Sequence, residues 1–327
     1  MKRREKVLIT GAGGFIGHHL VSFLKKKGYW VRGVDIKKPE YKLSEADQFL
    51  LLDLRDKSNA LKATRNIDHV YALAADMGGM GFISSNHATI LYNNAMINLN
   101  TIEAAKQNKV KRYFYSSSAC IYPEYRQEEA NLTPLKEEDA FPAQPQDAYG
   151  WEKLVSELLA KYYYQEHGVE TRVARFHNIF GPLGSWDGGR EKAPAALCRK
   201  VAIAKLTGNP EVEIWGDGKQ TRSFCYIDDC LTGIYKLMRS DYREPLNIGQ
   251  DRMVTINQLV DMIAKIAGIK IIKKHIKGPQ GVRGRNSDNT KLKRILKWEP
   301  RISLEDGFKR TYDWIEEQVR IKLSKKS

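Results

Sequence analysis

A short apolar run, Val7-Leu8-Ile9, meets a glycine-rich turn, Gly11-Ala12-Gly13-Gly14-Phe15-Ile16-Gly17, and this junction constrains the fold more than any other stretch. The run reads as a buried first strand. After the glycines, His18-His19-Leu20-Val21-Ser22-Phe23-Leu24 carries apolar residues at helical spacing. Strand, glycine turn and helix in that order make a pyrophosphate site. Residues without Cβ let backbone approach the phosphates, and the helix start offers unpaired N–H groups and the positive end of its dipole. Gly11, Gly13, Gly14, Phe15, Ile16 and Gly17 are therefore the expected dinucleotide cradle. Asp35 closes the next apolar run, Trp30 to Val34, where a carboxylate binds the adenosine ribose hydroxyls. Lys37 and Lys38 would attract a 2′-phosphate but Asp35 would repel one, so NAD is expected rather than NADP.

With 42% hydrophobic and 28% charged residues over 327 positions, the chain has enough core for one large domain or two smaller ones. No apolar run approaches the ~18 residues that a membrane span needs, so no membrane partner is expected. The basic start, Met1 to Lys6, runs straight into the first strand without an apolar signal region, and a cytoplasmic location is expected. Cys120, Cys198, Cys225 and Cys230 show neither CxxC nor dense spacing, which suits a reducing compartment, and no metal is expected. The net charge is +15, and from Lys270 onward 17 Lys and Arg stand against 7 Asp and Glu. Such a lobe can serve nucleic acid, an anionic surface or an anionic small substrate, or be a solvated lysine-rich face. An RNA-binding scaffold remains a reading from a different class. The chain has no RNP-type aromatic motif and no long basic run, so no nucleic acid is expected.

Along the chain, strands and helices alternate to about residue 178, which calls for a doubly wound parallel sheet covered on both faces, an α/β fold of Rossmann type. A strand is expected to end in Asp53-Leu54, where Asp53 either contacts the adenine or caps the following helix. The strand His69 to Ala75 ends in small residues, Ala74 among them, and leads into a glycine-rich loop, Asp76 to Phe82. That loop is either a ligand contact or a plain connection. Residues 86–107 read as a long helix. Beyond Pro182 the pattern changes to short strands and helices, with Val212–Trp215 and Thr221–Ile227 as strands around the turn Gly216-Asp217-Gly218. The whole reads as two lobes with ligand between them.

Tyr149 and Lys153 lie one helical turn apart on one face. The lysine is expected to favour phenolate, bringing Tyr149 down from about 10. Ser118, at the end of an earlier strand, can hydrogen-bond the same substrate oxygen. Beside a dinucleotide this trio removes a hydroxyl proton as hydride leaves the carbon. Read from the residues alone, Cys120 is a small buried hydrophobe and Lys192 a solvated lysine.

Together the glycine fingerprint, Tyr149-x-x-x-Lys153 and Arg222-Ser-Phe-x-Tyr-Ile-Asp-Asp229 resemble the extended short-chain dehydrogenase/reductases, across nearly the whole chain. The resemblance implies a Rossmann domain over residues 1–178, to which 223–247 returns, and a smaller C-terminal α/β nucleotide-sugar domain over 179–327. Five further strings resemble the GDP-mannose 3,5-epimerases: Ala74 to Phe82, Ser117 to Pro123, Pro145 to Gly150, Gly188 to Pro194 and Gly281 to Asp288. What this implies is oxidation of the hexose at C4, proton exchange at C3 and C5, and reduction at C4 again. GDP-D-mannose would give GDP-L-galactose, with GDP-L-gulose from inversion at C5 alone. Cys120 would be the base and Lys192 the acid. Gly78, Ser118, Ala119, Asn178, Glu191 and Ala193 would contact the substrate, and Lys200, Gln220, Thr221, Arg222 and Arg285 would hold its nucleotide part. A 4-epimerase or 4,6-dehydratase of nucleotide sugars is the related alternative. The dehydratases carry Thr-Asp-Glu where this chain has Ser118-Ala119-Cys120, and a 4-epimerase leaves Cys120 and Lys192 without a task. A homodimer through the helices near 88–107 and 150–166 is also implied.

Overall fold

The computed structural model describes residues 3–325; Met1 and Lys2, the first residues of the basic start, lie outside them. The first half runs β1 (Lys6–Thr10), α1 (Phe15–Lys26), β2 (Trp30–Asp35), β3 (Gln48–Leu51), α2 (Lys57–Thr64), β4 (His69–Ala72), a single turn α3 (Met80–Ile83), α4 (His87–Gln107), β5 (Arg112–Ser118), α5 (Ala148–His167) and β6 (Glu170–Phe176). The second half holds β7 (Ile179–Phe180), α6 (Ala193–Thr207), β8 (Glu211–Trp215), β9 (Thr221–Ser223), β10 (Cys225–Tyr226), α7 (Ile227–Arg239), β11 (Leu246–Ile248), β12 (Met253–Thr255), α8 (Ile256–Ala267), β13 (Ile272–Ile276), β14 (Gly284–Arg285), α9 (Thr290–Leu296) and α10 (Leu304–Ser324).

Seven parallel strands form the main sheet in the order β11-β6-β5-β4-β1-β2-β3. Chain order reverses on either side of β1, and ligands bind at such a switch point, outside the carboxyl ends of the strands. β1 is apolar because both its faces are covered: Val7, Leu8 and Ile9 are fully buried. Leu20, Val21 and Leu24 turn one face of α1 onto the sheet. After β6 the chain leaves for the second lobe, comes back through β10 and α7, and adds β11 beside β6 with Leu246 opposite Ala174. Among the described residues no helix is long and apolar enough to cross a membrane.

Three local expectations change. β3 ends at Leu51, short of Asp53-Leu54, because Leu52 makes the last sheet bond, to the Asp35 carbonyl. The helix cap that follows is Asp56, which accepts from the Ser58 amide; Asp53 does not fill that role. The strand expected over Thr221–Ile227 is split into β9 and β10, and Ile227 opens α7. β8 pairs with β13, and β9 pairs with β12 and β14. The turn between β8 and β9 is held from outside: Arg283 grips both Asp217 carboxylate oxygens at 2.9 Å, and Asn257 donates to the Asp217 carbonyl.

Candidate active site

At the carboxyl end of β1 the glycine turn is closed by contacts that admit no side chain. Gly11 sits at φ 71°, a Cβ on Gly13 would stand 2.3 Å from the Lys37 carbonyl oxygen, and one on Gly17 2.1 Å from that of Gly11. Gly14 begins α1 with no side-chain cap, which leaves the first N–H groups, around Phe15 and Ile16, to a ligand. Thr10 Oγ1 accepts the Leu73 and Ala74 amides, both at 3.0 Å, and so joins the ends of β1 and β4 below the cradle. Asp35 accepts the Gly13 amide at 2.9 Å on one carboxylate oxygen and the Lys37 amide at 3.2 Å on the other. Each oxygen keeps a lone pair for a ribose hydroxyl. Asp53 is turned away into a fork with Arg55, as close as 2.6 Å, and Leu54 is buried with its carbonyl bonded to Asn100.

On the far side of β4, Ser118 ends β5 and caps the short 3-10 turn Ala119–Ile121, its Oγ accepting the Cys120 amide at 3.1 Å. Tyr149 and Lys153 lie buried on α5, whose start is capped by Asp147. Lys153 Nζ donates to the Ser116 carbonyl at 2.9 Å and stands 5.6 Å from the centre of the Tyr149 ring. Ser118 lies beside the Tyr149 hydroxyl and acts to lower its pKa. The phenol is nevertheless held well above its usual range, by burial first and then by the negative charges of Cys120 and Glu152. That reverses the expected direction. Burial also pulls Lys153 down, and its ammonium is spent on a backbone carbonyl, so desolvation outweighs the lysine.

Cys120 is half-buried beside Tyr149, Met77 and Phe82. Arg285 Nη1 donates to its sulfur at 3.2 Å, while Arg285 Nε is fixed by Gln127 Oε1 at 2.6 Å. Opposite, Lys192 stands immediately before α6, and Ala193 opens that helix. Its ammonium makes no hydrogen bond among the described residues, although the cleft walls lower its pKa through desolvation, opposed by the negative charges of Cys120 and Cys230. Solvent still reaches the side chain along the open cleft. Both residues border the Met77–Phe82 loop: Cys120 packs with Met77 and Phe82, and a Cβ on Gly79 would stand 3.8 Å from Lys192 Cα.

Arg222 carries its guanidinium on the Thr221, Gln280 and Val282 carbonyls. Burial, and then the nearby Arg285 charge, bring it down to about 9. Neither arginine has an ion pair among the described residues, so the pair is a standing demand for an anion. Gln220 donates to the Trp215 carbonyl and leaves its buried Oε1 without a partner. Thr221 Oγ1 donates to the Ala130 carbonyl at 2.5 Å. Lys200 is committed to the Glu213 carbonyl at 2.8 Å. Asn178, at φ 46°, donates to the Ser223 carbonyl, and Glu191 accepts from Gly189 and Arg199. Gly78 has Phe82 against it, where a Cβ would fall at 2.9 Å.

The model of the NAD dependent epimerase/dehydratase family matches residues 7–249. The chain belongs to this family. It is 53% identical over 98% of its length to the GDP-mannose 3,5-epimerase of Arabidopsis thaliana, covering 85% of that protein. Among solved structures it is similar to UDP-glucose 4-epimerase with UDP-glucose from Thermotoga maritima, with a TM-score of 0.85, 28% identity, and coverage of 96% of this chain and 99% of that one. UDP-glucuronic acid 4-epimerase from Bacillus cereus, in complex with UDP-glucuronic acid and NAD, gives a TM-score of 0.79 at 27% identity, covering 96% and 99%. The family's cofactor is NAD, and the cradle fits it: the Cβ-free turn, the uncapped α1 and the Asp35 oxygens meet pyrophosphate and ribose.

Several functional neighbours are absent from the sequence reading. Gln127 is buried and aims Arg285, but a lone glutamine in a loop carries no pattern. The buried set Ser117, Glu157, Arg175, Tyr122 and Asn247 lies behind the Cys120 turn, where Arg175 meets Glu157 at 2.7 Å and Tyr122 donates to Asn247. Its members are scattered from β5 to β11. Arg175, a charged residue in the buried strand β6, is a signal that points to it.

Proposed function

We propose that this enzyme inverts C3 and C5 of the hexose in GDP-D-mannose, giving GDP-L-galactose, and GDP-L-gulose where only C5 inverts. The observation that carries the reading is Cys120 and Lys192 brought to one loop, Cys120 packed with Met77 and Phe82 and Lys192 beside Gly79, with Arg285 on the sulfur and Tyr149 alongside. A 4-epimerase has no use for that pair. When bound, NAD takes up the C4 hydride and gives it back, so no net oxidation results. Tyr149 acts as its phenolate, a form that Lys153 and the positive nicotinamide ring of bound NAD would favour against the burial that keeps the free phenol protonated; it receives the C4 hydroxyl proton and later returns it. A ketone at C4 acidifies C3 and C5. Cys120 then removes a proton from one face and Lys192, its pKa lowered by the cleft, delivers one to the other.

The remaining assignments belong to the same proposal. Gly11, Gly13, Gly14, Phe15, Ile16, Gly17, Asp35, Asp53, Leu54 and Ala74 serve the cofactor. Gly78, Ala119, Asn178, Glu191, Ala193, Lys200, Gln220, Thr221, Arg222 and Arg285 serve the substrate, with the two arginines supplying its countercharge. Residues 1–178 with 223–247 form the cofactor domain, and 179–327 the sugar-nucleotide domain. A homodimer is supported by the apolar residues left exposed on α4 and α5: Leu91, Tyr92, Leu99, Trp151, Val155 and Tyr162. A cytoplasmic location belongs to the same proposal. Incubation with GDP-mannose in D2O tests the reaction. Deuterium at C3 and C5 without accumulated NADH is expected, and protium retained at both carbons rejects it.

A further inference from the structure

Two glycines in open space lead into the segment that carries the proposed proton donor. Gly188 and Gly189 precede Lys192 at φ 93° and 88°, with open space where a Cβ would stand, and the Lys192 ammonium makes no hydrogen bond among the described residues. Between these glycines and Lys192 stand two residues that tie the segment down on opposite sides. Glu191 is held by Arg199 of its own lobe at 2.7 Å. Arg190 reaches the other lobe: its Nη1 donates to Asp76 at 3.0 Å, its guanidinium lies 3.9 Å from the centre of the Phe82 ring, and its carbonyl accepts the Gly79 amide at 3.1 Å. The contact is close enough that a Cβ on Gly79 would stand 2.4 Å from the Glu191 carbonyl oxygen. Asp76 is itself fixed to α4, by Asn93 to its carboxylate and by Asn94 to its amide and carbonyl. Phe82 packs in the same cluster as Tyr149 and Cys120.

We propose that Arg190 is a positioning residue, a clamp that sets Lys192 opposite Cys120 by fastening the 188–192 segment to the Asp76–Phe82 loop. The clamp rests on the epimerase reading. Lysine has a long flexible stem, so the placement of its ammonium follows the backbone that carries it. Two groups that must act on opposite faces of one ring lose effectiveness quickly when one of them drifts. The ion pair and the ring contact hold the drift down without Arg190 touching the substrate.

The test uses the full chain as Arg190→Ala, Arg190→Lys, Asp76→Ala and the Arg190→Ala/Asp76→Ala double variant, each turning over GDP-mannose in D2O. Arg190→Ala should slow deuterium incorporation at C3 and C5 by about 10- to 100-fold with KM little changed. Retained NAD should stay at the parent value, since the cofactor cradle does not involve Lys192. Arg190→Lys keeps the ion pair and should recover most of the rate. The double variant should be no slower than the slower single variant, because the two residues act as one unit. Parent rates in Arg190→Ala, lost NAD, an equally slow Arg190→Lys, or losses that multiply in the double variant each overturn the clamp. A parent protein that incorporates no deuterium removes the epimerase reading instead.

Discussion

Arg285 Nη1 lies 3.2 Å from Cys120 Sγ, joining β14 of the second lobe to the turn after β5. The second nitrogen contact, to Gln127, leaves the guanidinium little freedom to turn away. A cation donating to sulfur complements the charge that a thiol base carries while it holds no proton. Arg285→Gln should slow both C3 and C5 exchange and iodoacetamide alkylation of Cys120. A charge-assisted hydrogen bond contributes about 1.5–3 kcal/mol, so a loss of roughly 10- to 100-fold is expected. Unchanged alkylation would show that the contact has no bearing on the sulfur.

Removing either proton-transfer group should separate hydride transfer from inversion. In Cys120→Ala and Lys192→Met, C4 oxidation needs only Tyr149, Ser118 and Lys153, which remain in place, and loss of Cys120 removes one of the charges that hold the phenol up. Bound NADH absorbance should therefore appear on adding GDP-mannose, while deuterium enters C3 and C5 at least about 100-fold more slowly. Tyr149→Phe should show neither signal.

The cradle glycines should sort by contact. Gly17→Ala drives a Cβ to 2.1 Å from the Gly11 carbonyl oxygen and should cost about 1–3 kcal/mol in denaturant titration. At Gly14 the same atom would find 3.4 Å, so Gly14→Ala should fold with near-parent stability. Both should lose bound NAD, Gly14→Ala by obstructing phosphate alone.

Acid stability should carry the mark of His177. Burial, reinforced by the positive Arg285 and Arg175, lowers it from 6.5 to about 3, although Asn247 Oδ1 accepts from its Nε2 at 3.0 Å. The unfolded chain binds this proton below about 6.5 and the folded chain only near 3. Stability present above pH 6.5 is therefore lost as pH falls towards 3, by up to a few kcal/mol at ~1.4 per unit. Glu137, pushed up by burial, acts in the opposite sense, so the comparison is between parent and His177→Gln. The variant should lose up to one proton of slope across that window in urea titrations at stepped pH.

Glu157 and Arg175 form a pair buried on both sides, 4% exposed each, to which Ser117 adds a donor. Removing one partner strands the other charge. Arg175→Met or Glu157→Gln should cost about 3–5 kcal/mol in chemical denaturation, whereas Arg252→Ala, which breaks an exposed pair with Glu305, should cost under about 1.

The parallel sheet, the dinucleotide turn and the Tyr149/Lys153 pair were all legible in the sequence, because each is a local rule. Apolar strands need cover on both faces, the turn tolerates no Cβ, and four residues make one helical turn. Residue strings alone also singled out Cys120 and Lys192, through a resemblance and not through any spacing. Their relation came from the tertiary structure, which brings the turn after β5 and the start of α6 to one loop and adds Arg285 from β14. So did the phenol's direction: how far burial outweighs a neighbouring lysine depends on everything packed around it. Strand partners of β8 and β9 were undetermined for the same reason, since the turn between them is held by Arg283 and Asn257, distant in sequence. Local sterics and periodicity are written along the chain, but desolvation, ion pairing and the facing of two side chains exist only once distant segments meet.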